Sequence, residues 1–236
     1  MNKIIMPFVA AALLCWVAGC DPSQGGGSVQ QSQIQSEEVP QQASAPVQDS
    51  KLTRRNYYVV FDGSGSMQES KCAGNSRKID VAKQAVKEFA RNLKPEDNLG
   101  LLVFDSNGIS ERVALSNGDR AMFDQAIDNI YANSGTPLYQ SMGIAFESLK
   151  VQMARQLNYG EYHLVVVTDG EANDGDNGLI EQINRSPVII HTIGFCIGSG
   201  HSLNQPGKTH YADAQSPEAV KKGLQDVLAE SDTFSK

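Results

Sequence analysis

Four times between Asn56 and Ile193 the chain runs through a short, almost unbroken apolar stretch: Asn56–Phe61, Leu99–Phe104, Tyr162–Val167 and Val188–Ile193. Each is far too short to span a bilayer and too continuous for a strand with one face in water, so each reads as a strand covered on both sides. Between them lie segments with helical spacing. Lys78 to Asn92 places Ile79, Ala82, Val86, Phe89 and Ala90 on one stripe and is closed by Pro95. Asp119 caps a helix predicted to run through Ile130, with Met122, Phe123, Ala126, Ile127 and Ile130 inward. Pro137 opens another with the stripe Leu138, Met142, Ala145, Leu149 and Met153. Gly178 to Asn184 allows only a short helix, and Ser216-Pro217 starts the last one, with Val220, Leu224, Val227 and Leu228 inward. Buried strands alternating with helices imply an α/β fold, a doubly wound, mostly parallel central sheet flanked by helices and joined by right-handed crossovers. Arg112–Leu115, bracketed by Asn107-Gly108 and Asn117-Gly118, reads as an antiparallel edge strand, and Thr209–Ala212 as a further short edge strand.

This organisation does not reach back to the start of the chain. Lys3, the apolar stretch Ile4–Trp16 and the small residues Ala18 and Gly19 form a targeting segment over residues 1–19. Val17-Ala18-Gly19-Cys20 resembles the lipobox of bacterial lipoproteins, which implies lipidation of Cys20, cleavage before it and a membrane anchor. Asp21 resembles the inner-membrane retention residue of enteric-type bacteria, so the expected location is the cell envelope, at the periplasmic face of the inner membrane in a Gram-negative host. Residues 20–53 are rich in Gln, Ser, Gly and Pro, too poor in apolar surface to fold alone, and read as a flexible tether. The folded domain is then 54–236. Its partners are not nucleic acids: net charge is -7 and no basic block is present.

The chemistry gathers where strands end. Asp62-Gly63-Ser64-Gly65-Ser66 follows the first apolar run, Asp169-Gly170 follows the third, and Thr136 lies in Ser134-Gly135-Thr136-Pro137. In an open α/β sheet, ligands bind at the carboxyl ends of the strands near the point where strand order reverses. If the strands ending at Asp62 and Asp169 are neighbours, their carboxylates lie about 5–10 Å apart, a span that one hydrated cation bridges. Two carboxylates and three hydroxyls make an all-oxygen set suited to Mg²⁺ first, with Mn²⁺ or Ca²⁺ as alternatives.

The Asp-x-Ser-x-Ser signature, followed in order by Thr136 and Asp169-Gly170, resembles the metal-ion-dependent adhesion site of von Willebrand factor A-type domains. The resemblance spans roughly residues 54–232. It implies a Rossmann-like fold and a metal set of Asp62, Ser64, Ser66, Thr136 and Asp169. It further implies a protein partner whose Asp or Glu carboxylate completes the shell. Two loops exceed a compact version of the family: Met67–Ser76 and Cys196–Lys208. Both are expected on the metal rim, where they would shape partner choice.

Other readings stand beside this one. A passive structural lipoprotein with a vestigial site would carry the same motif. A metal-dependent hydrolase would need a general base that the motif does not supply. No Gly-x-Ser-x-Gly elbow or nucleotide-binding glycine loop is present. His163 and His191 fall inside strands and read as core residues; His201 and His210 look isolated. The acidic stretch Asp169, Glu171, Asp174 and Asp176 lacks EF-hand spacing. In an exported chain Cys72 and Cys196 are the cysteines left to form a disulfide once Cys15 departs with the leader and Cys20 takes a lipid.

Overall fold

The computed structural model describes residues 51 to 234; the leader, Cys20 and nearly all of the expected tether lie outside the described residues. Six strands, β1 (Arg55–Asp62), β2 (Asn98–Asp105), β3 (Gly108–Ser116), β4 (Glu161–Thr168), β5 (Val188–Phe195) and β6 (His210–Ala214), form one sheet in the order β3-β2-β1-β4-β5-β6. Only β3 runs antiparallel to its neighbour. The helices are α1 (Lys78–Asn92), α2 (Arg120–Asp128), α3 (Leu138–Arg155), α4 (Leu179–Asn184) and α5 (Pro217–Phe234). None of the described helices is long and apolar enough to cross a membrane.

The period-two geometry of a strand sorts each apolar run into two cores. Tyr57, Val59 and Phe61 of β1 face a cluster with Ile79, Val86 and Phe89 of α1, Phe123 and Ile127 of α2, and Val220 and Leu224 of α5. Tyr58 and Val60 face the other side, against Leu138, Met142 and Phe146 of α3 and Ile180 and Ile183 of α4. All eight residues of β1 are buried, as the unbroken run requires of a central strand. Each such apolar side chain contributes about 1.5–3 kcal/mol on burial.

Three expectations shift in detail. β3 is longer than Arg112–Leu115 and carries register irregularities against β2, a tolerance that its half-exposed edge position allows. β6 begins at His210 and continues to Ala214. α2 stops at Asp128, although Ile130 beyond it is still buried. Met122, expected inward, is 67% exposed. Phe123 and Ile127, four apart, define the inward stripe, and a residue one step before Phe123 is turned about 100° away from it.

Candidate metal centre

β1 has β2 on one side and β4 on the other, so the strand order reverses at β1 and a crevice opens at the carboxyl ends of β1 and β4. The Asp62–Ser66 loop is pinned there from three sides. Gly63 N donates to Phe104 O (2.8 Å), Asn133 N donates to Gly63 O (3.0 Å) and Gly65 N donates to Ser134 O (2.9 Å). A Cβ on Gly63 would lie 2.7 Å from both Phe104 O and Asp105 Cβ, so the close approach to β2 demands glycine. The bonds to Asn133 and Ser134 draw the Thr136 segment alongside, across more than sixty residues of intervening chain. A methyl built on Gly170 would lie 3.6 Å from Thr136 Oγ1 and 3.9 Å from Ser66 Oγ, which puts both hydroxyls around the same point beside Asp169.

The oxygens at the centre are close together. Ser64 Oγ and Ser66 Oγ are 3.0 Å apart, Ser66 Oγ donates to Asp169 Oδ1 at 2.7 Å, and Ser64 Oγ lies 3.4 Å from the same oxygen. An octahedral shell with bonds of about 2.1 Å has adjacent ligands about 3.0 Å apart, so this triangle has the size of one face of a Mg²⁺ shell. The donor set and its spacing therefore fit a small, hard divalent ion. Asp62 is fully buried. Its Oδ1 accepts from Ser64 N (2.7 Å) and its Oδ2 from Thr168 Oγ1 (2.6 Å). Burial dominates over those hydrogen bonds and pushes the Asp62 pKa up from 3.8 to about 6. A buried carboxylate in that condition gains from a cation beside it.

Lys78 is a member of the site that the motif does not contain. Its ammonium donates to Asp169 Oδ2 at 2.7 Å and lies 3.3 Å from Glu69 Oε2, with only 4% of the residue exposed. Burial works to lower the Lys78 pKa, but the hydrogen bond and charge of Asp169, then those of Glu69, outweigh it and hold it raised. A trace of this is visible in the helical wheel. Lys78 stands four and eight residues before Ala82 and Val86, on the buried stripe of α1, where a lysine must find a partner.

Asn173 is a second residue that the motif does not reveal. Its backbone N donates to Thr136 O (3.0 Å), and its amide, suitably oriented, donates to Thr136 O (2.9 Å) and accepts from Thr136 N (3.0 Å). Neighbouring acids serve as caps. Asp174 accepts from Tyr139 N and Gln140 N at the start of α3, and Asp176 from Ile180 N in the first turn of α4. Glu171 accepts instead from Ser202 N of the second long loop.

The two long loops meet this rim. His201, far from isolated, is 3% exposed; its Nδ1 accepts from Leu203 N (3.0 Å), so its Nε2 donates to Gly170 O (3.0 Å), one residue past Asp169. Cys72 of the first loop and Cys196 of the second are joined, with Sγ atoms 1.99 Å and Cα atoms 5.8 Å apart.

The model of the von Willebrand factor type A domain family matches residues 56–222. The uncharacterized protein YwmD of Bacillus subtilis (strain 168) is 30% identical over 162 residues, covering 61% of this chain and 70% of that one. Among solved structures, the von Willebrand factor type A protein from Catenulispora acidiphila is similar with a TM-score of 0.59 at 16% identity, over 76% of this chain and 43% of that one. Proximal thread matrix protein 1 of the mussel byssus, in a form with a zinc-occupied MIDAS motif, has a TM-score of 0.54 at 15% identity, over 75% of this chain and 47% of that one. This chain thus spans less than half the length of those two solved chains, and at such identities they show the fold. Domains of this kind are protein-interaction and adhesion folds and are generally not enzymes. With 167 consecutive residues matched and the six-stranded sheet in place, the chain belongs to the von Willebrand factor type A domain family.

Proposed function

We propose that the protein is a lipid-anchored cell-envelope module that captures a protein partner through one divalent ion, held by Asp62, Ser64, Ser66, Thr136 and Asp169. Cys20 would carry the lipid and residues 20–53 would hold the domain off the membrane; Asp21 favours the periplasmic face of the inner membrane in a Gram-negative host. Mg²⁺ is the preferred ion by the hardness and spacing of the donors, and the zinc-occupied MIDAS motif of the mussel protein, whose fold is similar, supports a divalent ion here. When bound, the ion supplies a Lewis-acidic position for a carboxylate oxygen of the partner.

The observation that carries this reading is the contact of Lys78 with Asp169. Two buried carboxylates alone would neutralise a divalent ion. With the Lys78 ammonium holding Asp169 Oδ2, and Glu69 facing that ammonium only from the solvent side, the charge of Asp169 is not spent wholly on the ion, and an Asp or Glu side chain is a better final ligand than water. His201 has both ring nitrogens engaged, which leaves it poorly placed to act as the base of a hydrolase.

The test is capture from envelope extract by the immobilised full chain, in Mg²⁺ against EDTA, with calorimetry of Mg²⁺ and Mn²⁺ on the same material. Wild type should bind the ion and retain a partner only when the ion is present. Ser66→Ala should lose both. Capture indifferent to EDTA and to Ser66→Ala would favour the passive lipoprotein instead.

A further inference from the structure

At the other end of the sheet three side chains converge that no motif links. β5 and β6 pair in parallel with His191 opposite His210, and the last turns of α5 bring Glu230 over both. His191 Nδ1 lies 3.5 Å and His210 Nδ1 3.2 Å from Glu230 Oε2, and one ligand atom from each of the three falls within 4.8 Å of the others. His210 is therefore not isolated. The three line a cavity of about 190 Å³ between the β5–β6 edge and α5. His191 is buried at its floor, while His210 and Glu230 stand at its mouth.

The buried member is also oriented from behind. His191 Nε2 is 3.1 Å from His163 Nδ1, His163 stacks on Tyr57 with ring centroids 4.7 Å apart, and His163 Nε2 lies 3.8 Å from Glu161 Oε2. In the tautomer that directs the His191 Nε2 proton to His163, Nδ1 is the lone-pair nitrogen facing the cavity. Ligating histidines are held in this way, through the ring nitrogen that does not touch the metal.

We propose that His191, His210 and Glu230 form a second metal site, distinct from the oxygen cluster, for a borderline-soft divalent ion, with Zn²⁺ the best match. Two imidazoles and one carboxylate suit Zn²⁺, where the all-oxygen rim suits Mg²⁺. Four-coordinate Zn²⁺ with bonds of about 2.0–2.1 Å has ligands roughly 3.3–3.4 Å apart, between the two distances observed to Glu230. The exposed His210 ring has freedom to close the remaining separation. The fourth position opens to the cavity. An ion here adds a tie between the start of the edge strand β6 and the carboxyl end of α5, beyond the apolar packing of Ala212 and Ala214 on that helix.

The experiment is calorimetric titration of the untagged full chain with Zn²⁺, in the Ser66→Ala background so that the rim site does not compete, followed by Co²⁺ absorption spectra. Ser66→Ala should retain one Zn²⁺ and give the intense visible bands of four-coordinate Co²⁺. Adding His210→Ala or Glu230→Gln, both at the mouth of the cavity and outside the core, should weaken Zn²⁺ by at least ~100-fold, since even supporting partners of a ligand change affinity ~10–100-fold, and should abolish the bands. If Ser66→Ala binds no Zn²⁺, or if His210→Ala leaves its affinity and the Co²⁺ spectrum unchanged, the site does not exist. Neither result bears on partner capture at the rim.

Discussion

Asp62→Asn should make the ion-free protein more stable while removing its response to Mg²⁺. Burial raises the Asp62 pKa from 3.8 to about 6, so at pH 7 the folded state carries a carboxylate that it would rather protonate. That displacement corresponds to about 3 kcal/mol of folding free energy. The sign follows from the direction of the shift. The unfolded chain ionises near 3.8 and the folded one near 6, so the stabilising contribution is fully present below 3.8 and is lost as pH rises through 6. Asparagine keeps the shape and the acceptor for Ser64 N. Its amide can donate to Thr168 Oγ1, whose own proton then turns to Gly170 O, 3.1 Å away. For a domain of this size, about 3 kcal/mol raises Tm by roughly 6–12 °C. Scanning calorimetry in EDTA at pH 7 should show that increase, and wild-type Tm should rise between pH 7 and pH 5 more than that of Asp62→Asn. In Mg²⁺ only the wild type should gain stability. An Asp62→Asn variant that melts at or below wild type in EDTA at pH 7, with a wild-type profile flat from pH 5 to 7, would refute the reasoning.

Lys78→Met should lower Tm in EDTA, because Asp62 and Asp169 then face each other without an ammonium, and should tighten Mg²⁺ ~10-fold or more by removing a positive charge near the ion; calorimetry reads both directions. Joining Cys72 to Cys196 closes 124 residues of chain, so Cys72→Ser should cost up to about 4–5 kcal/mol in urea unfolding, and mass spectrometry of protein from the native host should find neither thiol free. Cys20→Ala should move the protein from the membrane fraction to the soluble one; continued membrane association with normal processing would remove the lipid anchor from the proposal.

The strands, most of the helices and the oxygen-rich loop after β1 are readable along the chain because each leaves a local record. Fully buried strands read as unbroken apolar runs, amphipathic helices repeat at 3.6 residues, and the loop after β1 announces itself by the residues that a tight, oxygen-rich turn requires. Met122 shows the limit of that record, since an apolar residue one step off the inward stripe looks like core until the helix is set on the sheet. The partners of those local elements were not written locally. Lys78 reaches Asp169 across 91 residues, Asn173 holds Thr136, and His191 meets His210 and Glu230 only because β6 adds to β5 and α5 returns over that edge. Periodicity and turn chemistry act over a few residues, where the backbone itself imposes the pattern. Which charges and rings finally touch is decided by strand order and helix return, and for these pairs only the folded sheet brings them together.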